Sequence, residues 1–150
     1  MTISETRPDR RAESMRTADV RGTSPFLTVS AAAQLVGMSD ASFRQVLVKG
    51  RRPGYRVGNR WFVPLAEYVD TLGRAASLAP PDPHAAVTEL TRSLPSLLTF
   101  DDLEAFFGMR RPYLYDVLRL SGIVQARANR TVTTKERVAE VLVQSRNGFA

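Results

Sequence analysis

The stretch LTVSAAAQLVGMSDASFRQVLVKGRRPGYRVGNRWFVP, residues 27–64, decides how this chain folds. Ser30 is placed to cap a helix over Ala31–Val36 whose inner face carries Ala32, Leu35 and Val36. Gly37 closes that helix in a left-handed turn, and Met38 plugs the space behind it. Ser39 caps a second helix to about Lys49, with Phe43, Val46 and Leu47 at i, i+3 and i+4 and Gly50 at its end. The period then changes. Gly54–Val57 and Arg60–Val63 read as strands around Gly58–Asn59, a dipeptide suited to a tight hairpin turn. Pro64 starts a third helix through about Leu72, with Leu65, Tyr68, Val69 and Leu72 apolar. The order is helix, turn, helix, hairpin, helix.

Outward from this unit, residues 1–25 mix five Arg with four acids and show no regular apolar spacing, which reads as a mobile arm. Residues 26–73 form the first unit. Residues 74–96 hold Pro80, Pro81 and Pro83 and read as a linker with a short helix, started by Asp82 and Pro83 and stopped by Pro95. Val87, Leu90 and Leu94 give that helix a packing edge. Then the first unit repeats over residues 97–146. Leu27-Thr28 is matched by Leu98-Thr99, Gly37-Met38 by Gly108-Met109 and Val46-Leu47 by Val117-Leu118, all at an offset of 71. Asn59-Arg60 is matched by Asn129-Arg130 at an offset of 70, and together these matches mark an internal duplication. In the repeat, Thr99 and Asp102 make a capping box for a helix through Phe107, and Arg110–Leu120 is its second helix. Ile123–Arg127 and Arg130–Thr133 make a second hairpin, and Thr134 caps a last helix, Lys135–Gln144. The fold class is mainly α: two tandem, diverged units with small β-hairpins, joined by a short helical linker. On this reading the first unit folds without the second, so a chain ending near Leu94 keeps its fold.

Composition narrows the function. The chain has 150 residues, 43% apolar and 24% charged, an ordinary globular mixture. No apolar run is long enough to span a bilayer, and residues 1–11 are polar, so neither a membrane span nor a secretory signal is expected. Cysteine is absent, which excludes disulfides and thiolate metal sites and favours a reducing cytoplasm. The single histidine, His84, lies in the Pro-rich stretch and reads as solvated, leaving no histidine-based catalytic or metal set. Asp101, Asp102 and Glu104 resemble a metal cluster but fall on a helix's first turn, where capping and the dipole favour acids. Glu136 and Glu140 read as surface charge. No cofactor and no metal are expected, and a binding protein is the reading to pursue over an enzyme. The net charge is +6, from 21 cations and 15 acids, and only Lys49 and Lys135 among the cations are not Arg. Arginine suits forked contact with phosphate and guanine, although a GC-rich genome also enriches it. Two acid-poor basic clusters, residues 41–60 and 106–135, suggest two electrostatic footprints.

The first unit resembles the excisionase-type and MerR-type winged helix-turn-helix, through Leu27-Thr28-Val29-Ser30, Gly37-Met38-Ser39, Tyr55–Trp61 and Val63-Pro64. It departs at Asp40, where that family often carries a basic residue. A helix of this kind enters the major groove. Base contacts would then come from Asp40, Ala41, Arg44 and Gln45, with Ser39 rated as a cap before a reader. Lys49, Arg51 and Arg52 would clamp phosphate, and the wing residues Arg56, Asn59 and Arg60 would touch phosphate or minor groove. In the repeat, Arg110 and Arg111 would read or clamp, with Tyr113 and Tyr115 on sugar or a thymine methyl, or else at the rim of the core. Arg119, Arg127, Asn129 and Arg130 would meet the backbone. The whole layout, Phe26 to Ser145, resembles the immunity repressors of temperate mycobacteriophages. That resemblance implies a repressor of double-stranded DNA that silences lytic genes and reads an asymmetric site. Without a heptad or long apolar edge, the chain is expected to be a monomer. An excisionase that bends DNA, usually a single winged unit, is the nearest alternative, and a ring-forming packaging adaptor a more distant one.

Overall fold

The computed structural model describes residues 24–69, 82–123 and 133–147. Among them the chain is mainly helical, with two small antiparallel sheets. The first half contains β1 (Phe26–Leu27), α1 (Val29–Val36), α2 (Asp40–Val48), β2 (Tyr55–Val57) and β3 (Arg60–Pro64), followed by a 3-10 turn, Leu65–Glu67. The second contains α3 (Pro83–Thr91), β4 (Leu97–Leu98), α4 (Phe100–Phe107), α5 (Arg111–Ser121), β5 (Thr133–Thr134) and α6 (Lys135–Ser145).

Local chemistry sets most of these boundaries. Ser39 caps α2 by accepting from the Ser42 N–H, and Asp82 caps α3 by accepting from the Ala85 N–H. Thr99 and Asp102 close a reciprocal capping box on α4, which accounts for one of the three clustered carboxylates. Thr134 caps α6. In the hairpin, Gly58 and Asn59 both take positive φ, 55° and 68°, the turn whose twist matches the strands it joins.

Three expectations are corrected. Thr28, not Ser30, caps the first helix: its Oγ1 accepts from the Ala31 N–H, so α1 starts at Val29. The buried stripe then runs Val29, Ala32, Ala33 and, half-buried, Val36, and leaves Leu35 48% exposed on the far side. Pro64 does not start a long helix within the described residues: a 3-10 turn, Leu65–Glu67, follows it and is capped at Tyr68, whose N–H donates to Leu65 O. Tyr68 is instead held under α2, its hydroxyl donating to the Pro53 carbonyl at 2.7 Å. The second hairpin falls largely on residues 124–132, which lie outside the described residues.

The duplication extends into geometry. Thr28 and Thr99 cap α1 and α4, and Gly37 and Gly108 end them at φ 73° and 68°. β1 pairs with β3 through Phe26–Pro64 and Leu27–Val63; β4 pairs with β5 through Leu97–Thr134 and Leu98–Thr133. Even a single cross-connection recurs: Leu65 N–H donates to Pro25 O, and Lys135 N–H to Ser96 O. Among the described residues the halves differ after the last strand, where the first makes a 3-10 turn and the second the 11-residue α6.

The sheet β1-β3-β2 has both faces covered, by different halves of the chain. Successive strand side chains alternate between faces. Leu27, Trp61 and Val63 lie with Phe43 and Leu47 against α1 and α2. Phe26, Tyr55, Val57 and Phe62 lie in a second cluster with Phe106 and Phe107 of α4, Leu114, Val117 and Leu118 of α5, and Val138, Val141 and Leu142 of α6. Val87 of α3 joins this cluster, so the linker helix has the packing edge read from its sequence. A chain cut near Leu94 would therefore bare Phe26, Tyr55, Val57 and Phe62, contrary to the expectation that the first unit folds unaided.

Beyond α6, the chain fastens the halves together. Arg146 makes a forked ion pair with Glu67, at 2.7 and 3.0 Å, and donates to the Tyr55 hydroxyl at 2.8 Å. Its side chain is only 3% exposed. Burial works against the Arg146 charge, but Glu67 and Tyr55 outweigh it and hold the pKa above its ordinary value. Asn147 gives its amide hydrogens to Leu47 O and Arg52 O and accepts from the Gly54 N–H. Replacing Arg146 strands a partly buried carboxylate. Arg146→Ala is expected to cost about 3–5 kcal/mol in urea unfolding. Burial also pushes the Tyr55 hydroxyl up to about 12 from its ordinary 10.0, with Arg146 opposing. A raised folded-state value means stability is full below pH 10.0 and falls as pH rises towards about 12. Tyrosinate absorbance should accordingly rise together with loss of helix by circular dichroism.

Candidate nucleic-acid interface

α2 turns Phe43 and Leu47 into the core, so Asp40, Ala41, Arg44 and Gln45 are left on its exposed side. They sit where the sequence places them. Ser39 is engaged as the cap, which bears out that reading of its hydroxyl. Asp40 accepts from the Ser30 hydroxyl at 2.5 Å, so its carboxylate ties α2 to α1. This also gives Ser30 its actual role, a brace between helices.

Arg44 borders a cleft of about 730 Å³ that no single unit makes. Ser30 and Ala31 of α1 form one wall, Asn59, Arg60 and Trp61 of the hairpin another, and Gly108 and Met109 of the α4–α5 turn a third. Beside it, Arg60, Met109, Arg110 and Tyr113 surround a shallower hollow of about 310 Å³. Arg60 and Met109 belong to both, so the two hollows adjoin. No acidic side chain is among the described residues that line either one. Arg44, Arg60 and Arg110, from three separate elements, thus border one acid-free concave surface. Positive charge held on such a surface attracts a polyanion and focuses its field there.

Arg110 is exposed at the N-cap position of α5 and makes no side-chain cap bond. Tyr113 is 62% exposed beside it. Tyr115 is different. It stands one offset after Arg44 in sequence but is half-buried, packed on the second cluster with its ring 6.2 Å from Phe100. Tyr115 thus stands at the rim of the core, one of the two places read for it in the sequence. Arg111 turns back onto α4: it pairs with Asp101 at 2.7 Å and Glu104 at 3.7 Å, with its guanidinium 5.1 Å from the Phe100 ring centre. Arg110 and Arg111 are therefore not an equivalent pair, and the remaining carboxylates of the Asp101–Glu104 cluster answer an arginine. Among the described residues, no group of three or more potential ligands could hold a metal ion.

Lys49 and Arg51 are exposed past the last turn of α2, with Arg52 half-buried, and none of them lines the cleft. Arg56 lies over the Trp61 ring at 5.9 Å. Arg119 is exposed and 3.5 Å from Asp116, and Glu140 pairs with Arg137 at 2.8 Å on the surface of α6. His84 is exposed in the first turn of α3. Arg127, Asn129 and Arg130 lie outside the described residues.

Sequence reasoning missed Met109 as a cleft residue and missed the shared surface itself. One signal was available: the hairpin carries Tyr55, Val57 and Phe62 on one face and Trp61 and Val63 on the other, so both faces had to be covered. Comparison with protein-family models, curated proteins and solved structures returned no significant match. No helix among the described residues is long and apolar enough to cross a membrane.

The Arg111 contacts are largely exposed, with side-chain exposures of 52% for Arg111 and 86% for Asp101. Exposed ion pairs contribute little, so Arg111→Ala is expected to lower stability by about 1 kcal/mol or less in thermal melts.

Proposed function

We propose that this protein is a sequence-specific double-stranded DNA-binding repressor. It reads an asymmetric site with two unlike winged helix-turn-helix units, as in the immunity repressors of temperate mycobacteriophages that its layout resembles. α2 and α5 are the two recognition helices. The protein acts as a cytoplasmic monomer, without cofactor or catalytic chemistry. The observation that carries this reading is the acid-free surface bordered by Arg44, Arg60 and Arg110.

Each residue has a task under this reading. Arg44 forks onto a guanine and Gln45 onto an adenine, from the outer face of α2. Arg110 reads or clamps at the start of α5, and exposed Tyr113 packs on sugar or a thymine methyl. Arg60, between the two helices, meets the intervening phosphates. Lys49 and Arg51 clamp the backbone at the far end of α2. Two unlike units in one chain favour an oriented site over a palindrome, since a palindrome mirrors a symmetric dimer.

Selection of bound fragments from a random double-stranded DNA pool tests the function directly: enrichment of one non-palindromic consensus supports it, and a pool that stays random sinks it. On the selected site, Arg44→Ala is expected to cost about 1–3 kcal/mol and to relax preference at one or two bases. Arg51→Ala should weaken all sequences alike and flatten the salt dependence by about one unit of slope. Arg110→Ala should lower affinity well beyond Arg111→Ala, whose guanidinium is already paired within the fold.

A further inference from the structure

We infer that the two DNA-reading units form one rigid reader, so that the target is a pair of unlike half-sites at a single spacing and helical phase. This rests on the DNA-binding reading above and adds which sites that reading admits. The contact at the hairpin tip is the first ground. A Cβ on Gly58 would lie 2.5 Å from Val117 O and 2.7 Å from Val117 Cα. The turn of the first unit therefore rests backbone to backbone on α5, the second recognition helix, with no side chain between to act as a cushion. Gly58 also needs its positive φ, 55°, so only glycine meets both demands without strain.

The second ground is how the orientation is set. Phe26, Tyr55, Val57 and Phe62 are buried in the same cluster as α4, α5 and α6. The ring of Phe26 stands 5.2 Å from Phe106 and 5.9 Å from Phe107. Arg146 and Asn147 then bond back to Glu67, Tyr55, Gly54, Leu47 and Arg52. Packed aromatic cores and buried ion pairs do not slide; they hold one arrangement or come apart. The angle between α2 and α5 is therefore fixed by contact, and the length of the connecting chain does not enter.

The consequence lies in the DNA. Two readers on a flexible tether reach half-sites over a range of spacings, because effective concentration falls gently with distance. A rigid pair behaves otherwise. One inserted base pair moves the second half-site by about 3.4 Å and turns it by roughly 35° about the helix axis, and the second recognition helix then misses its bases.

The test uses the full chain and a selected site. Duplexes with one to five base pairs inserted between the half-sites are compared by equilibrium binding. A single insertion is expected to lower affinity about tenfold or more, down to the level of a duplex keeping one half-site. Affinity that falls less than about twofold across one to three insertions would overturn the inference, since that is how a flexible tandem behaves. A second readout needs no DNA. A protease site is introduced between residues 74 and 80, and the folded protein is cut there. The two pieces are expected to co-elute in gel filtration, and separate elution also overturns the inference. A cut chain that stays together while no DNA is selected sinks the DNA-binding reading alone, so the two failures are distinguishable.

Discussion

Phe26 touches both halves of this chain, and its position explains why the molecule has one architecture instead of two. Its ring meets Phe62 at 5.5 Å and Tyr55 at 6.1 Å on its own sheet, and Phe106 and Phe107 on α4. Edge-on and offset aromatic pairs each add about 0.5–1.5 kcal/mol beyond the area they bury. The larger effect is geometric. Interlocked rings on a strand only two residues long leave little room for α4 to rotate against the sheet. Everything at the candidate interface follows from that docking, because it brings the α4–α5 turn alongside the hairpin and so places Arg110 next to Arg60.

The arrangement changes what the hairpin is for. Extending into solvent, it would offer Arg56, Asn59 and Arg60 to a ligand. Here its inner face is core and its tip rests on α5, so the hairpin is first a structural wedge. Arg56 is directed over Trp61, and Asn59 and Arg60 remain on the cleft side. Arg111 and Asp40 follow the same logic. Each is a charged residue at the start of an outward-facing helix, and each is engaged by a neighbouring helix: Arg111 by Asp101, Asp40 by Ser30. Among the described residues, Arg44, Arg60 and Arg110 are the cations that border the shared surface.

The buried Arg146–Glu67 pair belongs to the same design. A buried ion pair is costly to desolvate and contributes little net stability against an apolar replacement, but it is strongly specific in geometry. Glu67 lies in the 3-10 turn that follows the first half's last strand, and Arg146 lies just beyond α6 in the second half. After the last strand of the second half, α6 runs for 11 residues. That length carries Arg146 to Tyr55 and closes the edge of β2 through an antiparallel bridge. An open strand edge is a template for unwanted pairing, so this closure also protects the sheet.

Much of this was legible in the sequence because it depends on short-range chemistry. Ser39, Thr99 with Asp102, Asp82 and Thr134 cap the helices read from them, and the Gly58–Asn59 turn and the 71-residue duplication recur in geometry. Caps, turns and repeats are decided by neighbours within a few residues, which a single sequence displays. The errors were also local in scale: Thr28 displaced Ser30 as a cap, since either hydroxyl suits the role and the backbone at Thr28 took the extended conformation. Which side chains meet across the chain was decided by tertiary packing alone. Tyr115 and Arg44 share a repeat position, yet one is packed half-buried at the rim of the core beside Phe100 and the other lines the cleft. The sequence determined two similar units; their fusion into one body with a shared basic surface was decided by the burial of a sheet's second face, a contact between residues some 80 positions apart.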